Sequence, residues 1–506
     1  MAESRTKNVA RNSTVALVTQ VITFVLQFVS RTIFIKVLST EYLGINGLFT
    51  NILTMLSFAE LGIGNAILFK LYKPVADDDK EKIKSYVNFY KKAYRYIGVI
   101  IITIGLLIIP FLKYIITDAP NIKENIIFIY VMFLLNSSIS YFFTYRRSIL
   151  YAYQKEYKAT LVETGVTIGY TILQMIFLVL TQNYIVYLMI QIIATILKNV
   201  LVSYSAGKEY SFIKDKNYTK ISKNEEKSIF NDVKSLLLYK LGGSISNGTD
   251  NMIISAFVGI SEVGLLSNYT TISNAINTFS NALFNGFSAS VGNLNAKEND
   301  EKKESTYYEI MLLAFIIYTF LMVGITILSN PFIEMWIGKE YELSWLVSFA
   351  LGFNLYVEGL RYVNYTFRNT LGLFKKGRFT PLISSLTNII LSLILVKPLG
   401  TFGVLIATGL SRMFTINFYD PYLLHKYKFN SPCKRYYLTY FYYLIIMFIV
   451  LCVCNLVINY LGLTGIFGFL INGIIIFVIS AVITIIATCK LKEFKSLKNR
   501  LIRRKK

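Results

Sequence analysis

Residues 13–37 read STVALVTQVITFVLQFVSRTIFIKV, an apolar run with few polar interruptions. A helix crosses the hydrocarbon core of a bilayer with about 20 mostly apolar residues, so this run is long enough to span it. The residues before it are polar and basic, with Arg5, Lys7 and Arg11, and no small-residue cleavage site follows it. The pattern predicts a retained transmembrane helix rather than a cleaved signal peptide.

Comparable apolar runs recur almost to the end of the chain. Of the 506 residues, 54% are hydrophobic and only 16% are charged, and one soluble core cannot bury so much apolar surface. The sequence therefore predicts an all-α, polytopic membrane protein with about fourteen transmembrane helices. The predicted spans are 13–37, 44–69, 93–113, 125–145, 159–181, 184–204, 234–258, 264–290, 307–328, 344–368, 378–396, 400–420, 436–458 and 464–488.

The 52 lysine and arginine residues are distributed unevenly between the two ends of these spans. With the N-terminus in the cytoplasm, all but six of them fall on the cytoplasmic side, as the positive-inside rule requires. The six exceptions are Arg31, Lys36, Lys113, Lys123, Lys339 and Lys397. This bias predicts an even number of spans and two cytoplasmic termini. The net charge of +23 then belongs to the cytoplasmic leaflet, where it suits anionic membrane lipids rather than nucleic acid.

The chain contains a weak internal repeat with an offset of 220 residues. The offset places Gly44 on Gly264 and Thr50 on Thr270, and it works again downstream, where Thr160 meets Thr380. Six helices per copy is an even number, so the two copies form a parallel repeat with a substrate site expected in the cleft between them. The predicted parts are an N-terminal lobe at 1–204, a basic cytoplasmic linker at 205–233, a C-terminal lobe at 234–425, two additional helices at 436–488 and a basic tail at 489–506.

Polar side chains form stripes on three of the predicted helices. Thr270, Asn274, Asn277, Asn281 and Asn285 share one face of the eighth span; Thr50, Thr54 and Ser57 share the matching face of the second; and Gln20, Thr23, Gln27 and Arg31 share a face of the first. Hydrogen bonding between helices explains any single serine or threonine. Amide-rich stripes at matching repeat positions favour a water-filled cavity, whose neutral donors and acceptors suit sugar hydroxyls.

Ionisable residues inside predicted spans are the strongest candidates for a substrate site, because each costs at least about 2.5–3.5 kcal/mol at the bilayer centre. Arg31 is a candidate, although snorkelling to the interface is an equally good explanation of it. Asp250 lies next to the repeat equivalent of Arg31, so the two are predicted to pair across the cleft. Glu358 and Arg361 are three positions apart, and a self-neutralising local pair is the alternative to a role in binding.

Two further acidic residues, Glu60 and Glu163, lie near cytoplasmic helix ends, where we expect solvation or pairing with loop lysines.

The motifs of common enzymes are missing from the sequence. There is no GxSxG, HExxH, P-loop or Rossmann fingerprint, and Cys433, Cys452, Cys454 and Cys489 form no CxxC pair. The single histidine, His425, falls in a basic cytoplasmic stretch and is predicted to be a solvated loop residue. We therefore predict a protein that is not an enzyme and carries no cofactor or metal, and the identity of any coupling ion, Na⁺ or H⁺, stays open.

The first hairpin carries a recognisable pattern. It contains EYLGINGLFT at residues 41–50 and FAELGIG at residues 58–64. Residues 31–69 resemble the first hairpin of the Wzx-type polysaccharide-repeat flippases, a branch of the multidrug/oligosaccharidyl-lipid/polysaccharide exporter superfamily. Two six-helix halves followed by two extra helices resemble the same group along nearly the whole chain.

The resemblance implies that the protein moves undecaprenyl-pyrophosphate-linked oligosaccharide units across the bacterial cytoplasmic membrane by alternating access. The product would be capsule, O-antigen or a related surface polysaccharide, with a polymerase and glycosyltransferases as partners. It also implies that cavity cations meet the pyrophosphate or acidic sugars, a role for which Arg31 is best placed. Asp250 and Glu358 beside Arg31 and Arg361 depart from a plainly cationic cavity, which leaves the charge of the sugar unit open.

Three other functions remain open at this point. A drug or metabolite antiporter of the same superfamily typically has twelve helices and often an acidic residue on the first, which this chain lacks. A peptidoglycan lipid II flippase shares the fourteen-helix plan. A membrane polysaccharide polymerase needs a long external loop with catalytic basic residues, and the longest predicted external loop, near 329–343, is short.

Overall fold

The computed structural model of the chain describes residues 5–57, 63–116, 120–215, 218–297, 299–373 and 376–503. Within these ranges the fold is helical and contains no β-strand. The helices are α1 (Arg5–Val37), α2 (Thr40–Leu56), α3 (Ile63–Ala76), α4 (Lys80–Ile108), α5 (Leu112–Ile115), α6 (Ile126–Tyr141), α7 (Arg147–Ala152), α8 (Glu156–Thr181), α9 (Tyr184–Glu209), α10 (Lys223–Phe257), α11 (Ile260–Lys297), α12 (Asp300–Ile337), α13 (Trp345–Thr370), α14 (Thr380–Phe414), α15 (Ile416–Leu424), α16 (Lys434–Leu461), α17 (Gly465–Thr488) and α18 (Lys492–Arg503).

Nine helical stretches in the described ranges are long and apolar enough to cross a membrane. One of them, Thr380–Phe429, contains two predicted spans, because Gly400 leaves helical geometry with a φ of 56° and bends α14 there. The other predicted spans fall on α2 with α3, α10, α11 and α13. Helices α2 and α3 are short, with 17 and 14 residues, whereas α10, α11 and α13 are less apolar because they carry polar and ionisable residues. The prediction of an all-α polytopic membrane protein is confirmed.

The 220-residue repeat is visible in where helices begin. Helix α2 begins at Thr40 and α11 at Ile260, while α4 begins at Lys80 and α12 at Asp300. The caps repeat as well. Asp79 accepts a hydrogen bond from the backbone N–H of Lys82, and Asn299 accepts one from the backbone N–H of Lys302, so each side chain satisfies a free N–H group of the first turn. The two copies therefore share local structure as well as sequence.

Several helices extend beyond the apolar runs that predicted them. The apolar run predicted a start at 93 for α4 and at 307 for α12, whereas these helices begin at Lys80 and Asp300. Hydropathy detects only the part of a helix that lies in hydrocarbon, and the charged first turns of both helices lie outside it. The segment between the predicted spans 44–69 and 93–113 is consequently almost all helix, with a short turn at 77–79.

The chain divides into two compact units, unit 1 from Met1 to Ser244 and unit 2 from Ile245 to Lys506. The division falls inside α10, whereas we predicted a linker at 205–233. Only residues 210–222 separate α9 from α10. Helix α10 begins earlier than predicted because Ser222 and Glu225 form a reciprocal capping box, in which each side chain accepts a hydrogen bond from the other residue's backbone N–H.

The capping residue Glu225 also forms an ion pair within unit 1. Lys82 of α4 lies 3.1 Å from the Glu225 carboxylate. Partial burial acts to raise the pKa of Glu225, but the hydrogen bonds from Ser222 and the pair with Lys82 outweigh burial and lower this pKa below its usual value. The start of α10 is thus tied to α4 at neutral pH.

The helices outside the repeat belong to unit 2 through a buried network of tyrosines and amides. Tyr307 of α12 donates to Asn364 of α13 over 2.5 Å, and Asn364 donates to the hydroxyl of Tyr436 of α16 over 3.1 Å. Asn417 of α15 donates to Tyr440 of α16 over 3.2 Å. Buried polar groups that are satisfied in this way fix one packing arrangement of the helices.

Reporter fusions can test the predicted topology. We expect reporters fused after Lys216 and Lys495 to read cytoplasmic and one fused after Gly338 to read external, because basic residues cluster at the first two sites. Lys216 lies outside the described ranges. We also expect a cytoplasmic signal from a reporter near Lys84, and the turn at Asp78 is the better site for it because Lys84 lies inside α4. A cytoplasmic signal at Gly338 would contradict the predicted orientation.

Candidate functional site

The predicted pair of Glu358 and Arg361 is present on α13. The Arg361 Nε donates to Glu358 Oε2 over 2.8 Å, and a second guanidinium nitrogen bonds the other carboxylate oxygen. Arg412 of α14 lies 3.5 Å from the same carboxylate. Glu358 therefore lies between two arginines, and it neutralises only one of the two positive charges. The pair is confirmed, while its role in binding stays a prediction.

Sequence reasoning missed Arg412, which we assigned to a basic cytoplasmic segment. The bend at Gly400 sends the second half of α14 along α13, and this brings Arg412 to Glu358. A signal was present in the sequence, because Thr408, Ser411 and Arg412 follow the spacing of one helix face. The partner, however, lies on another helix, which spacing alone cannot identify.

Asp250 is 8% exposed and lies within unit 2 against α14. Thr408 donates to its Oδ2 over 2.7 Å, and Asn388 donates to the Thr408 hydroxyl over 2.8 Å. Arg412 interacts with Asp250 electrostatically. Negative and positive side chains therefore alternate in the order Asp250, Arg412, Glu358 and Arg361. We call these four residues the charged cluster. The predicted pairing of Asp250 with Arg31 stays a prediction, because the two residues belong to different units.

A second ion pair lies deeper in unit 2. Arg368 of α13 donates to the Asp420 carboxylate of α15 over 2.6 Å, and their side chains are 2% and 1% exposed. The ring of Tyr365 lies between this pair and the charged cluster, 5.9 Å from the Arg368 guanidinium and 6.0 Å from that of Arg361. Sequence reasoning did not identify this pair, whose partners lie 52 residues apart.

In unit 1, Arg31 is half-buried and interacts electrostatically with Tyr187 of α9. Gln20 and Gln27 of the predicted stripe are exposed. Exposed apolar residues lie two positions before the polar ones, which is about 200° around a helix. These pairs are Val18 with Gln20, Val25 with Gln27 and Val29 with Arg31. Helix α1 thus has an apolar face suited to lipid and an opposite polar face suited to water.

The asparagine stripe of α11 is partly exposed where the structure describes its side chains. Asn274 is exposed and Asn277 is half-buried, whereas Ser273 and Ser280 beside them are buried. Asn281 lies on α11 as predicted, but its side chain is outside the described part of the structure. The exposed amides are consistent with a wet surface, and the buried serines supply the contacts between helices.

Cysteine labelling distinguishes these two roles. In a background without the four native cysteines, we expect Asn274→Cys and Asn277→Cys to react with small water-soluble thiol reagents at least about fivefold faster than Ser273→Cys and Ser280→Cys. The comparison uses matched positions on one helix, so differences in local depth are small. Equal protection at all four positions would assign the stripe to helix packing.

Two predictions about isolated residues need correction. Glu163 is paired with a cation, but its partner is Arg147 of helix α7, 3.1 Å away, rather than a loop lysine. The prediction for His425 is wrong, because His425 is 1% exposed and lies in a π-helical turn at 425–429. Its Nδ1 bonds the Pro421 carbonyl over 2.9 Å and its Nε2 bonds the Tyr308 hydroxyl over 3.0 Å. A basic neighbourhood predicted solvation, but packing against α12 buries the ring. Glu60 falls in 58–62, outside the described ranges.

Metal coordination finds little support in these clusters. In the ranges that the structure describes, no three His, Cys, Asp or Glu side chains come together in a group that could hold a metal ion. The charged cluster combines two guanidinium groups, two carboxylates and neighbouring hydroxyl and amide groups. Guanidinium groups bind phosphate and carboxylate oxygens through paired N–H donors, and the neutral groups suit hydroxyls. The donors and acceptors of the cluster are therefore of the kinds that suit an anionic, hydroxyl-rich molecule.

Solved structures with the same fold are transporters and a flippase. The inward closed conformation of the lipid II flippase MurJ matches with a TM-score of 0.64 and 18% identity, covering 93% of this chain and 97% of that chain. An inward-facing multidrug resistance MATE family transporter of the MOP superfamily matches with a TM-score of 0.61 and 16% identity, covering 78% of this chain and 91% of that chain. An outward-facing MATE family transporter matches with a TM-score of 0.53 and 17% identity, covering 82% and 94%.

Sequence comparison identifies the family more directly than these structures, whose low identities show the fold alone. No curated protein matches the chain. The sequence profile of one family, described as "Polysaccharide biosynthesis protein", matches residues 9–285, which is more than half of the chain. The chain therefore belongs to the polysaccharide biosynthesis protein family, in agreement with the resemblance seen in its first hairpin.

Proposed function

We propose that the protein is a flippase for lipid-linked oligosaccharides. It moves undecaprenyl-pyrophosphate-linked repeat units from the cytoplasmic to the outer leaflet by alternating access, for capsule, O-antigen or a related surface polysaccharide. The observation that carries the proposal is the charged cluster on α10, α13 and α14, in which Glu358 lies between Arg361 and Arg412. The membership in a polysaccharide biosynthesis family supports it.

The cluster has the chemistry that such a substrate requires. Each charge inside a membrane span is costly, so four charges in one place need a reason beyond packing. A pyrophosphate offers oxygens to both arginines, and the Arg361 and Arg412 side chains are 28% and 16% exposed, so a ligand can reach them. Tyr365 beside Arg361 offers an aromatic face and a hydroxyl to the sugars.

The carboxylates allow the substrate to leave again. Glu358 and Asp250 balance the charges of Arg361 and Arg412, which keeps the cluster close to neutral. An anionic substrate displaces these two carboxylates from the arginines. The carboxylates bind the arginines again when the substrate leaves. A transporter must bind its substrate well enough to admit it but weakly enough to release it. A mixed cluster meets that requirement better than arginines alone.

The proposed setting follows from the same considerations. The protein lies in the bacterial cytoplasmic membrane with both termini in the cytoplasm, where the polymerase and glycosyltransferases of the same pathway would be its partners. The similar solved structures include a lipid II flippase and multidrug resistance MATE family transporters, so lipid II and drugs are the competing substrates. A role as an enzyme has no supporting site among the described residues.

A cellular experiment tests the choice of substrate. Deleting the gene should abolish surface polysaccharide and accumulate its lipid-linked repeat unit in the inner leaflet, while lipid II and peptidoglycan synthesis remain normal. Re-expression of the full chain should restore the polysaccharide. Accumulation of lipid II, with unchanged surface polysaccharide, would instead show a peptidoglycan flippase.

A further inference from the structure

Unit 2 contains a groove that the proposed transport site does not use. It has a volume of about 580 Å³ and lies between the two ends of α14, α15 and the start of α16. We call it the aromatic groove and define it by Phe379, Ile383, Phe414, Tyr419 and Tyr422, with Lys376 at its edge. The volume is within the range of about 300–1,000 Å³ that is typical of small-ligand pockets.

The walls of the groove are apolar and open to the surroundings. The side chains of Ile383 and Phe414 are each 56% exposed, and Phe379 and Tyr419 are also exposed. Because α14 bends back at Gly400, its first and last turns both contribute to the groove. These turns adjoin the basic segments predicted to be cytoplasmic. With the predicted orientation, the groove lies where the acyl chains of the inner leaflet meet its headgroups.

Cations at the edge of the groove are held on aromatic rings rather than by carboxylates. The Lys376 Nζ lies 3.0 Å from the ring centre of Tyr427. Lys426 donates to the hydroxyl of Tyr422 over 2.9 Å and lies 5.6 Å from the same Tyr427 ring. The residues that line the groove include no aspartate or glutamate. Cations on ring faces keep N–H donors that can bind an anion.

We propose that the aromatic groove binds one anionic phospholipid of the inner leaflet, with an acyl chain along Ile383 and Phe414 and the phosphate at Lys376 and Lys426. The exposed apolar walls and the positive edge together match a molecule that carries a chain and a negative headgroup. The isoprenoid chain of the transported substrate is the competing occupant. The phospholipid fits better because the cations of this groove are separate from the charged cluster to which we assign the pyrophosphate.

Site-specific quenching tests the proposal with the full-length protein in nanodiscs. The chain has two tryptophans, Trp336 and Trp345, which are replaced by phenylalanine so that a single Phe414→Trp reports on the groove. Brominated phosphatidylglycerol should quench this tryptophan at least about threefold more than brominated phosphatidylcholine at equal mole fraction. Leu386→Trp is the matched control, because it is exposed on α14 but does not line the groove, and both lipids should quench it equally.

The charge requirement is tested in the same background. Replacing Lys376 and Lys426 together by alanine should remove the preference at Phe414→Trp, whereas Lys339→Ala, in the predicted external loop, should leave it unchanged. Size-exclusion profiles and thermal unfolding confirm that each variant is folded. Equal quenching by the two lipids at Phe414→Trp would overturn the proposal, as would displacement of phosphatidylglycerol by an equimolar polyprenyl phosphate. The readout does not involve transport, so it is independent of the proposed function.

Discussion

Replacing Arg31 by alanine is expected to abolish surface polysaccharide while the abundance of membrane-inserted protein stays normal. We propose that Arg31 contacts a phosphate of the substrate in addition to the contacts made by the charged cluster. A guanidinium group can bind two phosphate oxygens at once, whereas alanine offers neither charge nor donors. Lysine keeps the charge but not the fork, so Arg31→Lys should reduce export by roughly threefold to tenfold. The measurement is surface polysaccharide per unit of inserted protein, together with lipid-linked oligosaccharide trapped in the inner leaflet.

The alternative for Arg31 is an anchor at the membrane interface. An anchor needs only a long stem and a positive charge, so it predicts a nearly silent Arg31→Lys and a reduced protein level for Arg31→Ala. Lys36→Ala is the matched control, because Lys36 is exposed five residues further along α1 and should be dispensable. Full export by Arg31→Ala would remove Arg31 from the mechanism.

Removing one partner of the buried pair between Arg368 and Asp420 is expected to have the largest effect on stability. Asp420→Asn leaves a guanidinium group that is almost fully buried without its counter-charge, which typically costs about 3–5 kcal/mol. The level of inserted, folded protein should therefore fall strongly. The double variant Arg368→Met with Asp420→Leu removes both charges and should recover much of the lost stability.

Thermal unfolding of the purified variants measures this effect, and surface polysaccharide normalised to folded protein measures function. If the pair only holds α13 to α15, the double variant should export normally per folded molecule. A double variant that is as stable as the original chain but does not export would place Arg368 and Asp420 in the transport mechanism. Asp420→Asn with unchanged stability would contradict the structural role.

The fold could be predicted from the sequence because membrane helices are encoded locally. Apolar length gave the spans, whereas the orientation that the uneven distribution of lysine and arginine predicts stays a prediction. Asp79 and Asn299 each cap a helix, and they are separated by the same number of residues as Gly44 and Gly264. The caps therefore follow the repeat that the sequence alignment indicated. The pair of Glu358 and Arg361 was equally accessible, because residues three positions apart on a helix are neighbours.

The remaining contacts of the site are not encoded locally. Thr408 and Asp250 are 158 residues apart, and Asp420 and Arg368 are 52 apart, so helix periodicity carries no information about their contact. His425 was misassigned for a related reason, because its burial depends on Tyr308, which is 117 residues away. By contrast, the early start of α10 had a local signal in Ser222 and Glu225 that hydropathy did not detect.

The most direct test of the proposed function is translocation by the purified chain in proteoliposomes. Lipid-linked oligosaccharide is placed in one leaflet, and its arrival in the other is measured by its susceptibility to an added, membrane-impermeant enzyme that cleaves the glycan. The original chain should move the oligosaccharide at least about tenfold faster than protein-free vesicles, and Arg361→Ala with Arg412→Ala should lose most of that rate. No acceleration by the original chain, or an equal rate in the double variant, would contradict the proposal that the charged cluster carries a lipid-linked oligosaccharide across the membrane.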